Sequence, residues 1–306
     1  MARGWWLVLP LIVFGGQLEL SAEDVGRTAI SPLSAELRER CLDVLQRGFK
    51  GIGDKPENFW PAMHAAEALT LAGQGKEILA TLMKRLTNEA DHQRRCGLAR
   101  EIVRTGRREP LDVLFNTLAD EDSHGRVHAA ESLYKVGELR DGKLMRAAFE
   151  QKADKRLQLM AAAALARQGD EAGLKRLRQM LGSEDRELAK ICAWVLGLIG
   201  ESADIEPLKT ALARESDELA RAYYVNALAC LGDVSARQSL GKNLTSNDPA
   251  IRTYSAEFAG YSQSVEFRPQ LIKMLEDDNV DTRVRAAQAL IMLSQPPKPY
   301  RIEKAK

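Results

Sequence analysis

The sequence is poor in cysteine, in aromatic residues and in net charge. Four cysteines in 306 residues are too few for the disulfide framework of a small secreted domain. The 44 basic residues are matched by 43 acidic ones, so the chain lacks the positive field of a dedicated nucleic-acid binder, and no nucleic-acid partner is expected. Because only 6% of the residues are aromatic, a core has to be built from alanine and leucine.

Catalytic signatures and strand patterns are missing as well. The sequence contains no dinucleotide-binding fingerprint, P-loop, G-x-S-x-G, H-E-x-x-H or C-x-x-C motif. No segment of useful length alternates apolar and polar residues as a half-buried strand does. We therefore expect helices throughout and no cofactor.

Residues 1–22 carry the pattern of a secretory signal peptide. A short positive start precedes an apolar run over residues 5–16, which spans roughly 18 Å as a helix and is shorter than the ~30 Å hydrocarbon core. Small residues then precede Glu23, where we expect cleavage. The pattern predicts a linker over residues 23–30 and an exported protein, either periplasmic or secreted. The alternative is an uncleaved segment that anchors the chain to a membrane; no later stretch is apolar enough to span one.

An internal repeat of about 32 residues runs through the rest of the chain. The phrase His64-Ala-Ala-Glu-Ala-Leu69 returns as His128-Ala-Ala-Glu-Ser-Leu133, and each copy leads to a small residue four positions after the leucine. These anchors are Gly73, Gly106, Gly137, Gly169, Gly200, Gly232, Ser262 and Ser294. Their spacings of 30 to 33 residues predict one structural unit repeated about eight times.

Each unit is predicted to consist of two helices. In the second helix Ala65, Leu69 and Ala72 share one apolar stripe, and a glycine anchor permits the left-handed conformation that ends a helix. Since one pair cannot bury both its faces, stacking predicts an all-α fold, an α-solenoid over residues 31–294 that is right-handed or weakly curved. Ser31 and Pro32 are predicted to open the first helix. Residues 295–306 follow as a short proline-rich, basic tail.

The unit length, the Ala-Ala-x-x-Leu helix, the Val284-Arg285-Ala-Ala phrase and the glycine terminus resemble HEAT repeats. The short period is most similar to the HEAT-like repeats named after phycobilisome lyases. The resemblance covers almost the whole chain from residue 31 onwards. It implies a non-enzymatic scaffold or adaptor, expected to be a monomer, that holds a partner protein along a concave face lined by the second helices.

The same resemblance leaves an enzymatic alternative, a metal-dependent or lyase-like accessory enzyme that uses His and Glu residues of repeats one to three. One branch with such repeats is a di-iron hydroxylase that carries adjacent His-Glu pairs. No His-Glu dipeptide occurs in this sequence, so the hydroxylase activity is not expected.

The candidate partner-binding residues share one face of the second helices of repeats one to four. That face mixes aromatic, histidine and charged side chains, as protein-binding surfaces do. The candidates are Trp60, His64, Glu67, Arg100, Arg104, His128, Glu131 and Arg167. For Glu67, Arg100 and Glu131, which alternate in charge, a packing ladder between helices is the alternative interpretation. Trp194 and Tyr223 are interpreted as partly buried ridge residues rather than as a ligand cage.

His124, His128 and Glu131 are spaced i, i+4 and i+7, which makes them a candidate metal site. No fourth ligand is evident, and His64 is expected ~20 Å away. We therefore expect no bound metal, and His124 is interpreted, with Asp122, as a helix-start residue. The four cysteines lie in predicted helices and are expected to be buried free thiols.

Overall fold

Sixteen α-helices in eight antiparallel pairs make up the structure, a computed structural model that describes residues 32–53 and 55–301. These two ranges contain no β-strand. The predicted all-α class, an α-solenoid of helix pairs, is confirmed. The predicted signal peptide at 1–22, the linker at 23–30 and the end of the basic tail at 302–306 lie outside the described residues.

The first helix of each pair lies on the outside of the structure, and the second lies on the inside. The outer helices are α1 (Ala35–Lys50), α3 (Gly75–Asn88), α5 (Leu111–Ala119), α7 (Lys143–Glu150), α9 (Glu171–Leu181), α11 (Ile205–Arg214), α13 (Val234–Asn243) and α15 (Arg268–Met274). The inner helices are α2 (Phe59–Leu71), α4 (His92–Arg104), α6 (Arg126–Val136), α8 (Lys155–Arg167), α10 (Arg186–Ile199), α12 (Glu218–Cys230), α14 (Pro249–Tyr261) and α16 (Val280–Met292).

Short polar side chains start most of the inner helices. Each accepts a hydrogen bond from a backbone N–H of the first turn, which satisfies a donor that the helix itself leaves unpaired. These caps are Asp91, Asp154, Asp185, Asp217, Asp248 and Asn279. Helix α1 is capped in the same way by Ser34 and begins at Ala35, so the predicted start at Ser31 and Pro32 is wrong.

Glycine in the left-handed region follows five of the inner helices, as the anchors predicted. The residues with positive φ are Gly73, Gly106, Gly137, Gly169 and Gly232. Gly200 differs: its φ is −73°, and a capping box between Glu201 and Asp204 starts the next turn directly. In the seventh repeat the positive φ, 52°, belongs to Gln263, one residue beyond the predicted anchor Ser262.

The last inner helix packs against the first, so the solenoid closes into a ring. Helix α16 contacts both α14 and α2, and α1 packs beside α16. We call the contact of α1 and α2 with α15, α16 and the loop between them the seam. A Cβ on Gly48 would lie 2.7 Å from Val284 Cγ2, and Arg40 and Glu276 pair at 3.1 Å on the outside of the seam. The predicted weak curvature is therefore wrong, because the small rotation per repeat accumulates until the two ends meet.

Small residues allow the inner helices to approach closely. A Cβ on Gly197 of α10 would lie 2.7 Å from the Cα of Ala227 on α12. Alanines such as Ala129 and Ala161 are completely buried between helices. The predicted alanine and leucine core is confirmed, and among the described residues no helix combines the length and the apolar character that a membrane crossing requires.

Candidate functional site

The inner helices surround a lumen that contains two cavities, one near each end. At the N-terminal ends of the inner helices lies a cavity of about 360 Å³, which we call the front cavity. Side chains from all eight inner helices line it, and many of them are aromatic, histidine or apolar. They include Trp60, His64, His128, Met160, Ile191, Trp194, Tyr223, Tyr254 and Asp281.

One histidine of the front cavity, His128, is held in place by stacking on a tryptophan. The imidazole of His128 stacks on the indole of Trp60 with 5.2 Å between ring centroids and 12° between planes. Gly97 lies on the intervening helix α4, where a Cβ would come within 3.1 Å of the Trp60 ring. The absence of a side chain there lets a residue of α2 reach a residue of α6.

His64 binds a carboxylate across the seam. Its Nδ1 lies 2.7 Å from Oδ1 of Asp281, the second residue of α16. Burial alone would raise the pKa of Asp281, but His64 holds it below its usual range. Burial lowers the pKa of His128, and nearby Glu131 opposes that shift. His64 thus pairs closely with an ionised carboxylate, whereas burial favours the neutral form of His128.

A belt of paired charges closes the floor of the front cavity. We call Glu67, Arg100, Glu101, Arg104, Glu131, Lys135, Glu257 and Arg285 the charged belt. Glu101 is completely buried, and its Oε1 lies 2.6 Å from Arg100 Nε and 2.8 Å from Arg104 Nη1. Arg104 also reaches Glu67 at 2.9 Å, which joins helices α4 and α2.

The belt continues across the seam through Arg285. This side chain is 3% exposed and lies 3.4 Å from Glu67 Oε2 on α2 and 3.2 Å from Glu257 Oε1 on α14. The two carboxylates hold its pKa above the usual range, although burial acts in the opposite sense. A single guanidinium therefore connects the first repeat to the last two.

Two of the belt carboxylates, Glu67 and Glu131, have lowered pKa values and are ionised in the folded protein. Burial would raise the pKa of Glu131, but Lys135, at 2.8 Å, and Arg100 lower it to about 2. Burial likewise acts against ionisation of Glu67, yet Arg104 and Arg285 hold its pKa well below the usual range. The belt is thus an internal salt-bridge network that depends on negative carboxylates.

Acid is therefore expected to destabilise the ring. A folded-state pKa below the unfolded value of 4.5 contributes stability that is complete above that pH and is lost as pH falls towards 2. Thermal unfolding followed by circular dichroism should show a falling midpoint over this window, and Glu131→Gln should make the fall shallower than in the unmodified chain. Glu121→Gln, at an exposed loop position, should leave the pH profile unchanged. A profile that is equally steep in both variants would contradict the role of Glu131.

At the other end of the lumen, residues 295–300 cover a second cavity. This rear cavity has a volume of about 490 Å³ and lies between the belt and the chain segment after α16. Arg167 at the end of α8 contacts that segment: its guanidinium lies 4.1 Å from the Tyr300 ring centroid. The first residues of the predicted tail, 295–300, therefore pack against the ring.

All eight candidate partner-binding residues face the lumen, but they do not form an open concave surface. Trp60, His64 and His128 border the front cavity, and Arg167 borders the rear one. The other four, Glu67, Arg100, Arg104 and Glu131, belong to the charged belt. Arg100 is buried and the other seven are half-buried. Glu67, Arg100 and Glu131 do form ion pairs, as the packing interpretation expects, but with Arg104, Glu101 and Lys135 rather than with one another. A binding role stays a prediction.

The candidate metal site is not assembled. His124 stacks on His92 at 4.8 Å, and its Nε2 lies 3.2 Å from Asp91, whereas His128 turns to Trp60. Within residues 32–53 and 55–301, no three His, Cys, Asp or Glu side chains are placed to hold a metal ion. Neither His124 nor Asp122 caps α6, because Gly125 occupies the cap position without a side-chain bond, but both are exposed to solvent.

Several residues that face the lumen were not predicted from the sequence. In the seventh repeat, counting from Gln263 instead of Ser262 places Tyr254, Glu257 and Tyr261 at the lumen-facing positions, and all three line a cavity. The one-residue shift in the end of α14 hid them. Glu101 escaped because it lies one position away from the face that the other candidates share.

The two predicted ridge residues are more deeply buried than expected, whereas the cysteines are free thiols as predicted. Trp194 and Tyr223 are each 8% exposed and line the front cavity as buried wall residues. All four cysteines are free: Cys41, Cys96 and Cys192 are buried, and Cys230 is half-buried. Burial raises the pKa of the Cys41 thiol to about 11 and also raises the pKa of the other three thiols. All four therefore stay protonated and unreactive.

Comparison with known proteins agrees with the helix pairs. A family model of HEAT repeats matches residues 142–229 and 205–293. A search of the curated proteins finds no match to the chain. The narrower resemblance to the phycobilisome-lyase type of repeat stays a prediction. The match extends over residues 142–293 and supports a relationship of this chain to the HEAT-repeat superfamily.

Proposed function

We propose that this protein is a non-enzymatic, exported adaptor that binds a projecting segment of a partner protein in its front cavity. HEAT repeats serve in general as protein-interaction scaffolds. The observation that carries the proposal is the front cavity itself, with its open mouth and its aromatic and histidine walls.

The size of the front cavity determines what kind of segment fits. About 360 Å³ lies at the lower end of the volumes of ligand pockets, so it accommodates a few side chains and not a folded domain. The partner would present a loop or chain end, while the rim of the ring makes the peripheral contacts. This differs from the broad concave surface expected from the sequence, because closure of the ring encloses that face.

The chemistry of the walls favours a partner segment with an apolar or aromatic tip. Trp60, which is half-buried, offers a large, rigid aromatic surface of the kind that carries most binding energy at protein interfaces. The charged side chains on the floor are already paired with each other, as Glu131 is with Lys135. They can form hydrogen bonds with a partner segment, and that segment does not have to carry a net charge. His128 is 29% exposed and is therefore reachable from the mouth.

Two histidines of the third repeat provide a matched test. A pull-down from the native envelope fraction would compare the chain starting at Glu23 with its His128→Ala and His124→Ala variants. His128 lines the front cavity, whereas His124 is more than half exposed and pairs with Asp91 outside it. We expect a protein that is retained by the unmodified chain and His124→Ala and whose retention falls at least tenfold with His128→Ala or Trp60→Ala.

Equal retention by both histidine variants would move the binding site away from the front cavity. Circular dichroism of each variant has to show the same helix content, so that a lost partner reports a lost contact. The effect of His128→Ala includes the loss of its stacking on Trp60, and the Trp60→Ala variant tests the same wall independently.

One observation favours the enzymatic alternative. His64, held at 2.7 Å by the carboxylate of Asp281, has the arrangement of a positioned general base beside a cavity. Stoichiometric zinc or iron retained by the purified chain, or a turnover that His64→Gln abolishes, would replace the adaptor proposal by a metal-dependent or lyase-like enzyme.

We further propose that the chain is exported through its N-terminal segment. The supporting pattern is the apolar run over residues 5–16 and the small residues before Glu23. N-terminal sequencing of the protein from the native envelope or medium should therefore start at Glu23. A chain that keeps Met1 and sediments with membranes would support the anchored alternative and contradict cleavage.

A further inference from the structure

Residues 295–301 cross the rear mouth of the ring as a strap without helical structure. At its start, Gln295 Nε2 donates to the carbonyl of Leu71 at the end of α2 (3.3 Å). At its end, Arg301 pairs at 2.6 Å with Glu201, which follows α10. The strap therefore runs from the seam to the opposite side of the ring, and we call residues 295–301 the strap from here on.

Tyr300 is the residue of the strap that enters the lumen. Its ring packs against Tyr134 and Tyr261, with centroids 5.5 and 5.9 Å away, and lies 4.1 Å from the guanidinium of Arg167. Arg167 Nε also donates to the Tyr300 carbonyl at 2.8 Å. The rear mouth thus recognises three features together: a backbone carbonyl, an aromatic ring and, through Glu201, a cation.

The recognising groups are held in place by the ring itself. Besides Tyr300, Arg167 donates to the carbonyl of Tyr134 on α6, which fixes its guanidinium at the mouth. Tyr134 is completely buried. A site whose parts are already positioned loses little entropy when a ligand binds.

The strap closes the rear cavity without filling it. About 490 Å³ remains beneath it, lined by Glu67, Arg104 and Gln288. The hydroxyl of Thr70, which also lines this cavity, is buried without a hydrogen-bond partner. An occupant with a larger or more polar side chain would make contacts here that the strap does not.

We propose that the rear mouth is a binding site for an extended segment of a partner protein that carries a tyrosine followed by a basic residue after prolines, and that the strap occupies this site in cis. The inference rests on the proposed adaptor function and adds a second contact for the partner. Prolines suit such a segment because they hold it extended before binding. Because cis occupancy corresponds to an effective concentration in the millimolar range, a partner segment has to bind more tightly than the strap to displace it.

The test uses the strap sequence itself as the probe. A labelled peptide of residues 295–306 is titrated into the full chain and into a full-length Tyr300→Ala, Arg301→Glu variant with a weakened strap. We expect the peptide to bind the weakened variant at least tenfold more tightly than the unmodified chain. Adding Arg167→Ala to the weakened variant should abolish binding, and a control peptide with alanine in place of the tyrosine should bind at least tenfold more weakly.

Equal binding of both peptides, or no binding to the weakened variant, would overturn the proposal. If that variant does not fold, a protease site inserted between Ser294 and Gln295 allows the strap to be cut after folding, and the same titrations apply. Concentration-dependent dimers of the unmodified chain would identify a second copy as the occupant and would likewise overturn it. A peptide that does not bind, together with a partner lost in His128→Ala, would refute this inference and leave the adaptor function intact.

Discussion

Replacing Arg285 by methionine is expected to lower the free energy of unfolding by about 3–5 kcal/mol, because it leaves the buried carboxylate of Glu257 without its arginine and removes one of the two arginines that pair with Glu67. Arg285 lies between Glu67 and Glu257 and is 3% exposed. Methionine keeps much of the volume but offers no positive charge. Chemical denaturation at neutral pH measures the change.

The matched control is Arg40→Met, which removes the other arginine that bridges the seam. Its pair with Glu276 is exposed, since the two side chains are 44% and 77% accessible, and exposed pairs contribute at most about 1 kcal/mol. Equal losses in the two variants would mean that Arg285 is not the buried connection described above.

Gly197→Leu is expected to destabilise the protein by about 3 kcal/mol through overpacking. A Cβ at this position would lie 2.7 Å from Ala227 Cα and 2.9 Å from the ring of Phe258. The first of these neighbours is backbone, so the clash can be relieved only by moving α10 away from α12. The denaturation midpoint should fall, and the helix content of the native state should stay similar.

Gly182→Leu provides the comparison at an exposed position. A Cβ there would meet only the Gln179 carbonyl oxygen, at 3.6 Å, which is an ordinary contact. We expect a change within about 0.5 kcal/mol, as for most surface substitutions. A tolerated leucine at position 197 would show that α10 and α12 are less tightly packed than described.

The helix pairs could be predicted from the sequence because their signals are local. The alanine and leucine stripe of α2 and the glycine after it depend on residues within one turn of each other. Five anchor glycines accordingly have the expected positive φ. Gly200 departs from the pattern because the side chains of Glu201 and Asp204 cap the next turn, and this reciprocal pair is visible only in three dimensions.

Ring closure could not be predicted in the same way. It depends on the rotation between successive repeats. A change of a few degrees per repeat accumulates over eight repeats and decides whether the two ends meet. The contacts that close the ring join residues more than 200 positions apart, such as His64 with Asp281 and Arg285 with Glu67. No spacing rule connects them.

The sequence therefore placed the candidate residues on the inner face but did not show how they are arranged there. The inner face was identified from helix phase alone, and Trp60, His64 and His128 do border one cavity. That Glu67 and Arg104 would pair with each other follows only from the packing of α2 on α4. Tyr300 could not be placed, because its contacts with Tyr134 and Tyr261 depend on a segment without regular structure.

The distance between the two ends of the solenoid shows whether the ring is closed. Cysteines that replace Arg40 and Glu276 would carry spin labels, and pulsed electron–electron double resonance would measure the distance between them. The native cysteines would stay unchanged. The closed ring predicts one population at the short limit of the method, since these side chains are 3.1 Å apart. An open array of eight repeats would separate them by roughly 70 Å, at roughly 10 Å per repeat, and a distribution near that distance would contradict the closed lumen and both proposals built on it.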